Sequence, residues 1–393
     1  MDRILIVASD FPYPPHHGLA VDLWNRILSL KQLGFSLDLI ATVRKNPKQE
    51  HVDAVQAVVE HLWIVRRDRG LTSALSFIPF QVRSRMALQA VPLAGAYEAV
   101  LLESEYVAPI LENVQLTAEV RILRLVTDEP QYFRELSRSA ATWVERCFYR
   151  AEALKFDGFS PQVKSKCDLL WFISDWERTH HVQKRPSDSL KAVFLPPDPG
   201  VKTMRPYSAG GTEVLFIGSL TFPPNLEGLE WYIEHIHRSL SNVRGYSLTV
   251  AGRTEGASLP RLHRTLRRYP NISFCADPEK LDDLYKRAAV FINPVLRGAG
   301  VKIKTIHALL AGVPVVSTSI GMEGTGLIDG THLLVADSAE KFVRSVASLL
   351  QDPSVAGRLV CSAQSFLADT YDHERNIRQS LSSVLSVQPS VAR

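Results

Sequence analysis

Residues 297–307, RGAGVKIKTIH, combine glycines, cations and a histidine in an order that suits phosphate binding. Gly298 and Gly300 allow backbone to approach a ligand closely, because no Cβ stands in the way. A helix is predicted to begin near Ala299, and the unpaired N–H groups of a helix N-terminus attract anions. The segment therefore predicts a diphosphate site formed by the backbone amides of residues 298–301, of which Val301 is the last.

Basic side chains of the same segment add full charges to this site. Arg297 and Lys302 flank the predicted loop, and helical spacing places Gly300, Lys304 and His307 on one face. A different face carries an apolar stripe and is predicted to face the core; it is formed by Ile303, Ile306, Leu309 and Leu310. For the lysines, a solvated helix face is the alternative. We expect His307 to contact a ribose hydroxyl, with a satisfied core or surface histidine as the alternative.

Polar residues at other predicted strand ends extend the candidate site. Gly218 and Ser219 stand at the end of the run EVLFIG and can present amides to a phosphate, or form only a tight turn. Arg253 follows YSLTVAG and adds a third cation. In the first half, Asp128 and Glu129 follow RILRLV and can contact sugar hydroxyls or accept a proton, although a helix N-cap pair explains them equally well. Three further residues of the first half of the chain are assigned to the same part of the site as Asp128 and Glu129: His17, Gly18 and Glu103. The segment DFPYPPHHG is not GxGxxG, which disfavours an NAD-dependent dehydrogenase.

Short apolar runs alternate with helical patterns along the whole chain, which predicts βαβ units and parallel sheets. Strands are predicted in the first half at 3–8, 37–41, 62–65, 99–103, 121–126 and 169–174, and in the second half at 213–218, 246–252, 271–275, 290–294, 313–318 and 332–336. The Pro- and Gly-rich residues 194–212 predict a linker. The sequence thus predicts an N-terminal domain over 1–200, a C-terminal domain over 201–372 and a final helix over 373–393, with a ligand cleft between the domains.

Composition and charge exclude several classes of protein. A chain of 393 residues is too long for one core, and a net charge of +4 is too weak to indicate nucleic-acid binding. Four dispersed cysteines without a CxxC pair favour neither a zinc site nor disulfides. No apolar run is long enough to span a bilayer, so we expect a cytoplasmic protein. The basic residues 261–268 predict a solvated helix face, with contact to an anionic membrane surface as the alternative.

Four segments together resemble the retaining glycosyltransferases of the GT-B fold, family-4 type. They are FPYPPHHG, GSLTFPPN, LTVAGR and DDLYKRAAVFINPVLRGAGVKIKTIHALLAGVPVVSTSIGMEG. The resemblance is strongest over 213–350 and most specific over 293–324. It implies two Rossmann-like domains facing across a cleft, a UDP-sugar bound mainly by the C-terminal domain, and an acceptor bound mainly by the N-terminal one. It also implies a final helix that crosses back, retention at the anomeric carbon and no metal or other cofactor.

The chain departs from the family pattern at defined positions. Two family glutamates, eight positions apart, are replaced here by Ala299 and His307, and Val126 and Thr127 stand where a histidine is expected. We expect transfer of a hexose, with UDP-glucose as the first choice of donor, onto a saccharide or lipid-linked saccharide in polysaccharide synthesis. The residues assigned to catalysis are Lys302, Arg253, Asp128 and Glu129. A degenerate nucleotide-sugar-binding protein is the alternative, and a GT-B epimerase or phosphorylase is a third.

Overall fold

The computed structural model describes residues 2–15, 18–68, 70, 76–140, 142–200, 203–209, 211–243, 245–254, 260–278, 280–298 and 300–384. The chain divides into two compact units. Unit 1 comprises Met1–Gly200 together with Asp372–Arg393, and unit 2 comprises Val201–Tyr371. Each unit has one parallel sheet with helices, so the predicted α/β fold with two Rossmann-like sheets is confirmed.

Unit 1 has a seven-stranded parallel sheet in the order β3-β2-β1-β4-β5-β6-β7. Its strands are β1 Arg3–Ala8, β2 Ser36–Val43, β3 His61–Arg66, β4 Ala96–Leu102, β5 Thr117–Leu125, β6 Leu169–Phe172 and β7 Ala192–Phe194. The six predicted strands are all present. β7 was not predicted, because a three-residue edge strand directly before Pro196 and Pro197 carries too short an apolar pattern.

The helices of unit 1 that precede unit 2 cover both faces of this sheet. They are α1 Gly18–Gln32, α2 Gln49–Gln56, α3 Phe80–Arg83, α4 Glu129–Ser139, α5 Trp143–Ser165 and α6 Asp175–Lys184, with 3₁₀ turns at Met86–Ala90, Glu105–Glu112 and Pro186–Asp188. Alternate residues of β1 enter different cores: Ile4 and Ile6 pack in one, Leu5 and Val7 in the other. A strand buried on both faces explains why residues 4–8 of β1, ILIVA, are all apolar.

Unit 2 has a six-stranded parallel sheet in the order β10-β9-β8-β11-β12-β13. Its strands are β8 Glu213–Ile217, β9 Ser247–Gly252, β10 Ile272–Ala276, β11 Ala288–Asn293, β12 Val315–Ser317 and β13 Leu334–Val335, all of them predicted. Its helices are α7 Pro223–Tyr232, α8 Arg238–Leu240, α9 Pro260–Leu266, α10 Asp282–Arg287, α11 Ile303–Leu310, α12 Ser319–Met322, α13 Ala339–Gln351 and α14 Pro353–Thr370, with a π turn at Ile233–His237 between α7 and α8.

The chain after unit 2 belongs to unit 1. Helix α15, His373–Ser382, packs on α1 and places Ile377 and Leu381 in the core beside Ile27. The indole Nε1 of Trp171 in β6 donates a hydrogen bond of 2.6 Å to Ser380 Oγ. The predicted C-terminal helix therefore completes the N-terminal core.

Close approach of strand ends makes Gly252 a sensitive position. A Cβ at Gly252 would lie 2.0 Å from the carbonyl oxygen of Gly218. We expect Gly252→Ala to lower the free energy of unfolding by about 1–3 kcal/mol, as over-packed sites do. Gly158 in α5 is the control, since its Cβ would meet nothing within 4 Å and alanine favours a helix. Urea unfolding would contradict the packing argument if Gly252→Ala were as stable as Gly158→Ala.

Candidate active site

Two loops follow the strands at which the order of the unit 2 sheet reverses. β8 and β11 pair in parallel, and their carboxyl ends continue into Gly218–Ser219 and into residues 294–302. Ligands of open α/β sheets bind at such a reversal, because the two connections leave toward opposite faces and open a crevice. The two loops that sequence predicts for the phosphates thus flank one crevice of unit 2.

The glycine loop differs from its predicted form. Gly298 and Gly300 have φ of +116° and +87°, which a right-handed helix excludes, so α11 begins at Ile303 and the predicted start near Ala299 is wrong. Gly300 consequently precedes the helix and does not share the face of Lys304 and His307. A Cβ at Gly300 would meet nothing within 4 Å, so the loop borders open space. Ala299 lies outside the described residues.

Lys302 folds its side chain back over the glycine loop. Its Nζ donates to the carbonyl oxygen of Gly300 at 2.6 Å and lies 3.3 Å from that of Gly298. The preceding Val301 packs against the core that contains Ile306, so it anchors the loop. The ammonium is therefore placed at the loop that is predicted to hold the phosphates, and it also orients two of the loop's carbonyl groups.

Lys304, in the first turn of α11, is linked through Asn225 to the loop after β8. Its Nζ donates a hydrogen bond of 2.8 Å to Asn225 Oδ1, and Asn225 Nδ2 donates one of 3.0 Å to the carbonyl oxygen of Ser219. The ammonium also lies 5.1 Å from the ring centroid of Phe216. Burial, and next the charge of Lys302, lower the pKa of Lys304 to about 7. Asn225 was missed by sequence reasoning, although it lies in the segment GSLTFPPN that carries the resemblance.

Arg297 has a partner on α7. Its guanidinium forms a two-point ion pair with the Glu227 carboxylate, with Nε 2.6 Å from Oε2, and both side chains are nearly half exposed. A hydrogen bond from Arg297 to Glu227 raises the pKa of the guanidinium. The charge of Arg297 is thus offset by Glu227.

Arg253 and His307 are both partly exposed. Arg253 follows β9, where its carbonyl oxygen accepts a hydrogen bond of 2.9 Å from the amide of Leu220. The next residue of this loop, Thr254, is held by a hydrogen bond of 2.9 Å from its amide to Asp277 Oδ1. His307 lies one turn after Lys304 on α11. The structure therefore brings the β9 loop close to the β8 loop.

A buried polar network supports the loop after β11. Asn293 Nδ2 donates to Thr305 Oγ1 at 3.0 Å and to the carbonyl oxygen of Gly321 at 2.7 Å. Thr318 Oγ1 donates to the carbonyl oxygen of Val295, and Asn293 is fully buried. These residues were not predicted from the sequence, because the only sign of such a network is a polar side chain at each end of an apolar run. Their hydrogen bonds fix α11 relative to β11 and β12.

The two acidic residues after β5 differ in environment. Asp128 caps α4, with Oδ1 accepting from the amide of Gln131 at 3.0 Å, which confirms the N-cap alternative for this residue. Glu129 is buried, and its Oε2 accepts a hydrogen bond of 2.6 Å from the hydroxyl of Tyr106. Burial raises the pKa of Glu129 to about 8. Glu129 is thus largely protonated at neutral pH.

Glu103 belongs to a buried ion network that was not predicted. Its Oε1 lies 2.8 Å from Arg26 Nε, and Arg26 Nη2 lies 2.7 Å from Asp22 Oδ2. Arg124 in β5 also donates to Asp22, at 2.9 Å. All four side chains are at least nine-tenths buried. Gly18 is the first residue of α1, and His17 lies outside the described residues.

The described residues form neither a metal cluster nor a membrane-spanning helix. In the part of the chain that the structure describes, no group of three or more His, Cys, Asp or Glu side chains could hold a metal ion. Over the same ranges, no helix is long and apolar enough to cross a bilayer. In the basic segment, α9 ends at Leu266, with Arg264, Arg267 and Arg268 exposed.

Sequence comparisons agree with this geometry. The sequence model of the family "Glycosyl transferases group 1" matches residues 211–352, which contain both loops of the crevice. This chain belongs to that family. A protein of Klebsiella pneumoniae, described as an uncharacterized 44.6 kDa protein in the cps region, is 31% identical over 389 residues, which are 95% of this chain and 98% of the relative. The protein is therefore a glycosyltransferase.

Solved glycosyltransferase structures share the fold over nearly the whole chain. Sucrose-phosphate synthase from Thermosynechococcus elongatus is 14% identical with a TM-score of 0.67, covering 96% of this chain and 97% of that one. HepE from Anabaena, solved with UDP and glucose, is 13% identical with a TM-score of 0.66 and coverages of 98% and 100%. S. aureus TarM, solved with UDP and saccharide ligands, is 9% identical with a TM-score of 0.67 and the same coverages. These likenesses show the GT-B fold.

Proposed function

We propose that this glycosyltransferase transfers a hexose from a UDP-sugar, with UDP-glucose as the first candidate, onto a saccharide or lipid-linked saccharide. Retention of anomeric configuration, independence from metal ions and a place in polysaccharide synthesis are parts of the proposal. The observation that supports it most is the hydrogen-bonded connection from Lys304 through Asn225 to Ser219, since it joins the first turn of α11 to the loop after β8, both of which are predicted to contact the phosphates. The HepE complex with UDP and glucose and the cps-region relative support the donor and the pathway.

In this proposal, cations and amides stabilise the leaving diphosphate. The N-terminal turn of α11 and the Gly298–Gly300 loop offer backbone N–H groups, and Lys302, Lys304 and Arg253 add positive charge. His307 contacts the ribose. Catalysis then depends on position and charge, with the diphosphate oxygen assisting removal of the acceptor proton. Asp128, Glu129, Glu103, Gly18 and His17 are assigned to the acceptor side.

Lys304 makes the binding of UDP dependent on protons. With a pKa of about 7, its amine is largely neutral at pH 8, and a bound diphosphate stabilises the ammonium and raises that pKa. We expect UDP binding at pH 8 to take up about 1 proton, and UDP affinity to fall as pH rises above 7. Calorimetry in two buffers of different ionisation enthalpy measures the uptake. Lys304→Arg keeps the charge and should abolish it; an unchanged uptake would exclude Lys304 as its source.

A donor panel tests the proposed function directly. Thermal shifts are measured with UDP, GDP, ADP and their glucose conjugates, because a ligand of the native state raises apparent stability. We expect the UDP compounds to give the largest shifts. Incubation with radiolabelled UDP-glucose and saccharide acceptors, with and without EDTA, should then give a glycoside whose anomeric configuration matches the donor. A product of inverted configuration, or an activity abolished by EDTA, would overturn the corresponding part of the proposal.

A further inference from the structure

Helix α5 of unit 1 is apolar on two sides. Its inner side packs on α4 and in the small core that contains Phe133, Ala153 and Phe156. Its outer side, over the first half of the helix, is exposed and consists of Trp143, Val144, Cys147, Ala151 and Leu154, which we call the outer α5 face. A helix that is apolar on two sides needs an apolar neighbour on each. In the part of the chain that the structure describes, nothing covers the outer side.

Aromatic side chains enlarge this apolar surface. Trp143 is 76% exposed and Leu154 is 71% exposed. Phe148, beside the outer α5 face, packs edge-on against Phe80 with ring centroids 6.2 Å apart, and Phe77, shortly before Phe80, is 99% exposed. Clustered apolar exposure of this kind marks a surface that binds a partner. Trp, Phe and Leu are also the residues typical of the apolar face of a helix that lies in a membrane surface.

The charge that borders the outer α5 face is positive. Arg146 and Arg150 lie one turn apart on the same flank of the helix, and both are exposed. Neither forms an ion pair with another described residue. The acidic side chains of α5 are each engaged within the chain, namely Glu145 by the Thr142 amide, Glu152 by Lys155 and Asp157 by Arg134. The face therefore combines an apolar surface with cations that can bind anions outside the chain.

We propose that the outer α5 face lies on an anionic lipid bilayer, with Trp143 and Leu154 among the acyl chains and Arg146 and Arg150 at the lipid phosphates. In helices that lie in a membrane surface, the apolar face enters the headgroup region and flanking cations bind anionic lipids. Arginine suits this place because its stem packs on apolar surface while its guanidinium reaches the headgroups. The inference concerns where the enzyme works rather than what it transfers, so it stands apart from the proposed function.

A second copy of the chain matches this face less well than a lipid surface does. Arg150 lies between Cys147 and Leu154, so a two-fold axis at the middle of the face would bring it close to its own counterpart. Like charges juxtaposed in an interface are unfavourable. The carboxylates of Glu152 and Asp157 are already paired with cations and do not offset them.

Co-sedimentation of the full chain with lipid vesicles tests the proposal without any sugar donor or acceptor. One kind of vesicle is phosphatidylcholine, and the other is an equimolar mixture with phosphatidylglycerol. We expect binding to the mixed vesicles to be about 10- to 30-fold tighter, because each arginine near an anionic surface contributes. Trp143→Ser/Leu154→Ser should weaken this binding at least about tenfold, and Arg146→Gln/Arg150→Gln should remove the preference for mixed vesicles. Thermal unfolding of both variants should match the wild type, since the four residues are exposed.

Matched controls come from other exposed residues. Arg264 and Arg267 are exposed in and directly after α9, but Leu262 and Leu266 are buried, so that segment has cations without an apolar face. Arg264→Gln/Arg267→Gln should bind vesicles as the wild type does. Trp176 on α6 is 69% exposed, and Trp176→Ser should likewise have no effect.

Cys147 gives a direct readout from the middle of the face. In Cys275→Ser/Cys361→Ser, a polarity-sensitive fluorophore attached to the exposed Cys147 should shift to shorter wavelength when mixed vesicles are added. The same fluorophore on the exposed Cys361 of unit 2, in Cys147→Ser/Cys275→Ser, should not shift.

Several outcomes would overturn the proposal. They are equal binding to the two kinds of vesicle, wild-type binding by Trp143→Ser/Leu154→Ser, and no shift of the fluorophore on Cys147. Loss of binding in the α9 variant alone would place the lipid contact on unit 2 instead. Sedimentation equilibrium without lipid covers the remaining case, because a dimer that Trp143→Ser/Leu154→Ser dissociates would assign the face to a second copy.

Discussion

Replacement of Lys302 by alanine is expected to weaken UDP binding about 10- to 150-fold, the equivalent of losing one charge-assisted hydrogen bond of about 1.5–3 kcal/mol. The change also releases the carbonyl groups of Gly298 and Gly300 that Nζ now binds. The loop should then lose order as well as charge. Calorimetric titration of UDP measures the affinity, and thermal unfolding without ligand measures the effect on the fold.

Two variants separate these contributions. Lys302→Arg keeps a cation and should recover part of the affinity. Lys286 is the control, since it lies in the same unit on α10 and its Nζ pairs with Asp283 at the surface; Lys286→Ala should bind UDP as the wild type does. If Lys302→Ala and Lys286→Ala bound UDP equally well, the assignment of this loop to the diphosphate would be wrong.

Replacement of Asp22 by alanine is expected to lower the free energy of unfolding of unit 1 by about 3–5 kcal/mol. The carboxylate is shared by Arg26 and Arg124, and its removal leaves two guanidiniums buried with one remaining carboxylate, that of Glu103. Although burial opposes ionisation, the Arg124 and Arg26 guanidiniums hold the pKa of Asp22 well below its usual value. The stabilisation from this shift is present above the ordinary pKa of 3.8 and is lost as pH falls further.

Lys31→Ala provides the matched control on the same helix. Lys31 pairs with Glu60 at 3.0 Å, but both side chains are exposed, and such pairs contribute about 0.2–1 kcal/mol. Equilibrium unfolding in urea at pH 7, followed by tryptophan fluorescence, compares the two variants. A loss of stability for Asp22→Ala no larger than that for Lys31→Ala would show that the network contributes little.

The central strands of the two sheets were predictable because they are buried on both faces. Runs such as residues 4–8 (ILIVA) and 214–217 (VLFI) are apolar at every position, and the helical patterns between such runs require parallel pairing. The start of α11 was not predictable, because two glycines permit helical and left-handed backbone alike. Only the surrounding structure selects positive φ at Gly298 and Gly300.

The residues of the candidate site could be proposed from the sequence one by one, whereas the contacts between them could not. Lys302, Lys304 and Gly218 were located from their places after strands. The contact of Lys304 with Asn225 was not, since it joins side chains that are far apart in sequence. The sequence did not indicate the ion network of Asp22, Arg26 and Arg124 either. Asp22 and Arg26 are an i,i+4 pair of opposite charges on a helix, and such a pair ordinarily lies at the surface.

The position of α15 determines the order in which the molecule can be completed. His373, the first residue of this helix, is buried beside the ion network; burial and the charge of Arg26 lower its pKa to about 3, so it is neutral at pH 7. During synthesis from the N-terminus, unit 1 lacks this helix until all of unit 2 has been translated. The surface that receives Ile377 and Leu381 therefore stays exposed on the ribosome while unit 2 folds, and the first unit to begin folding is the last to finish.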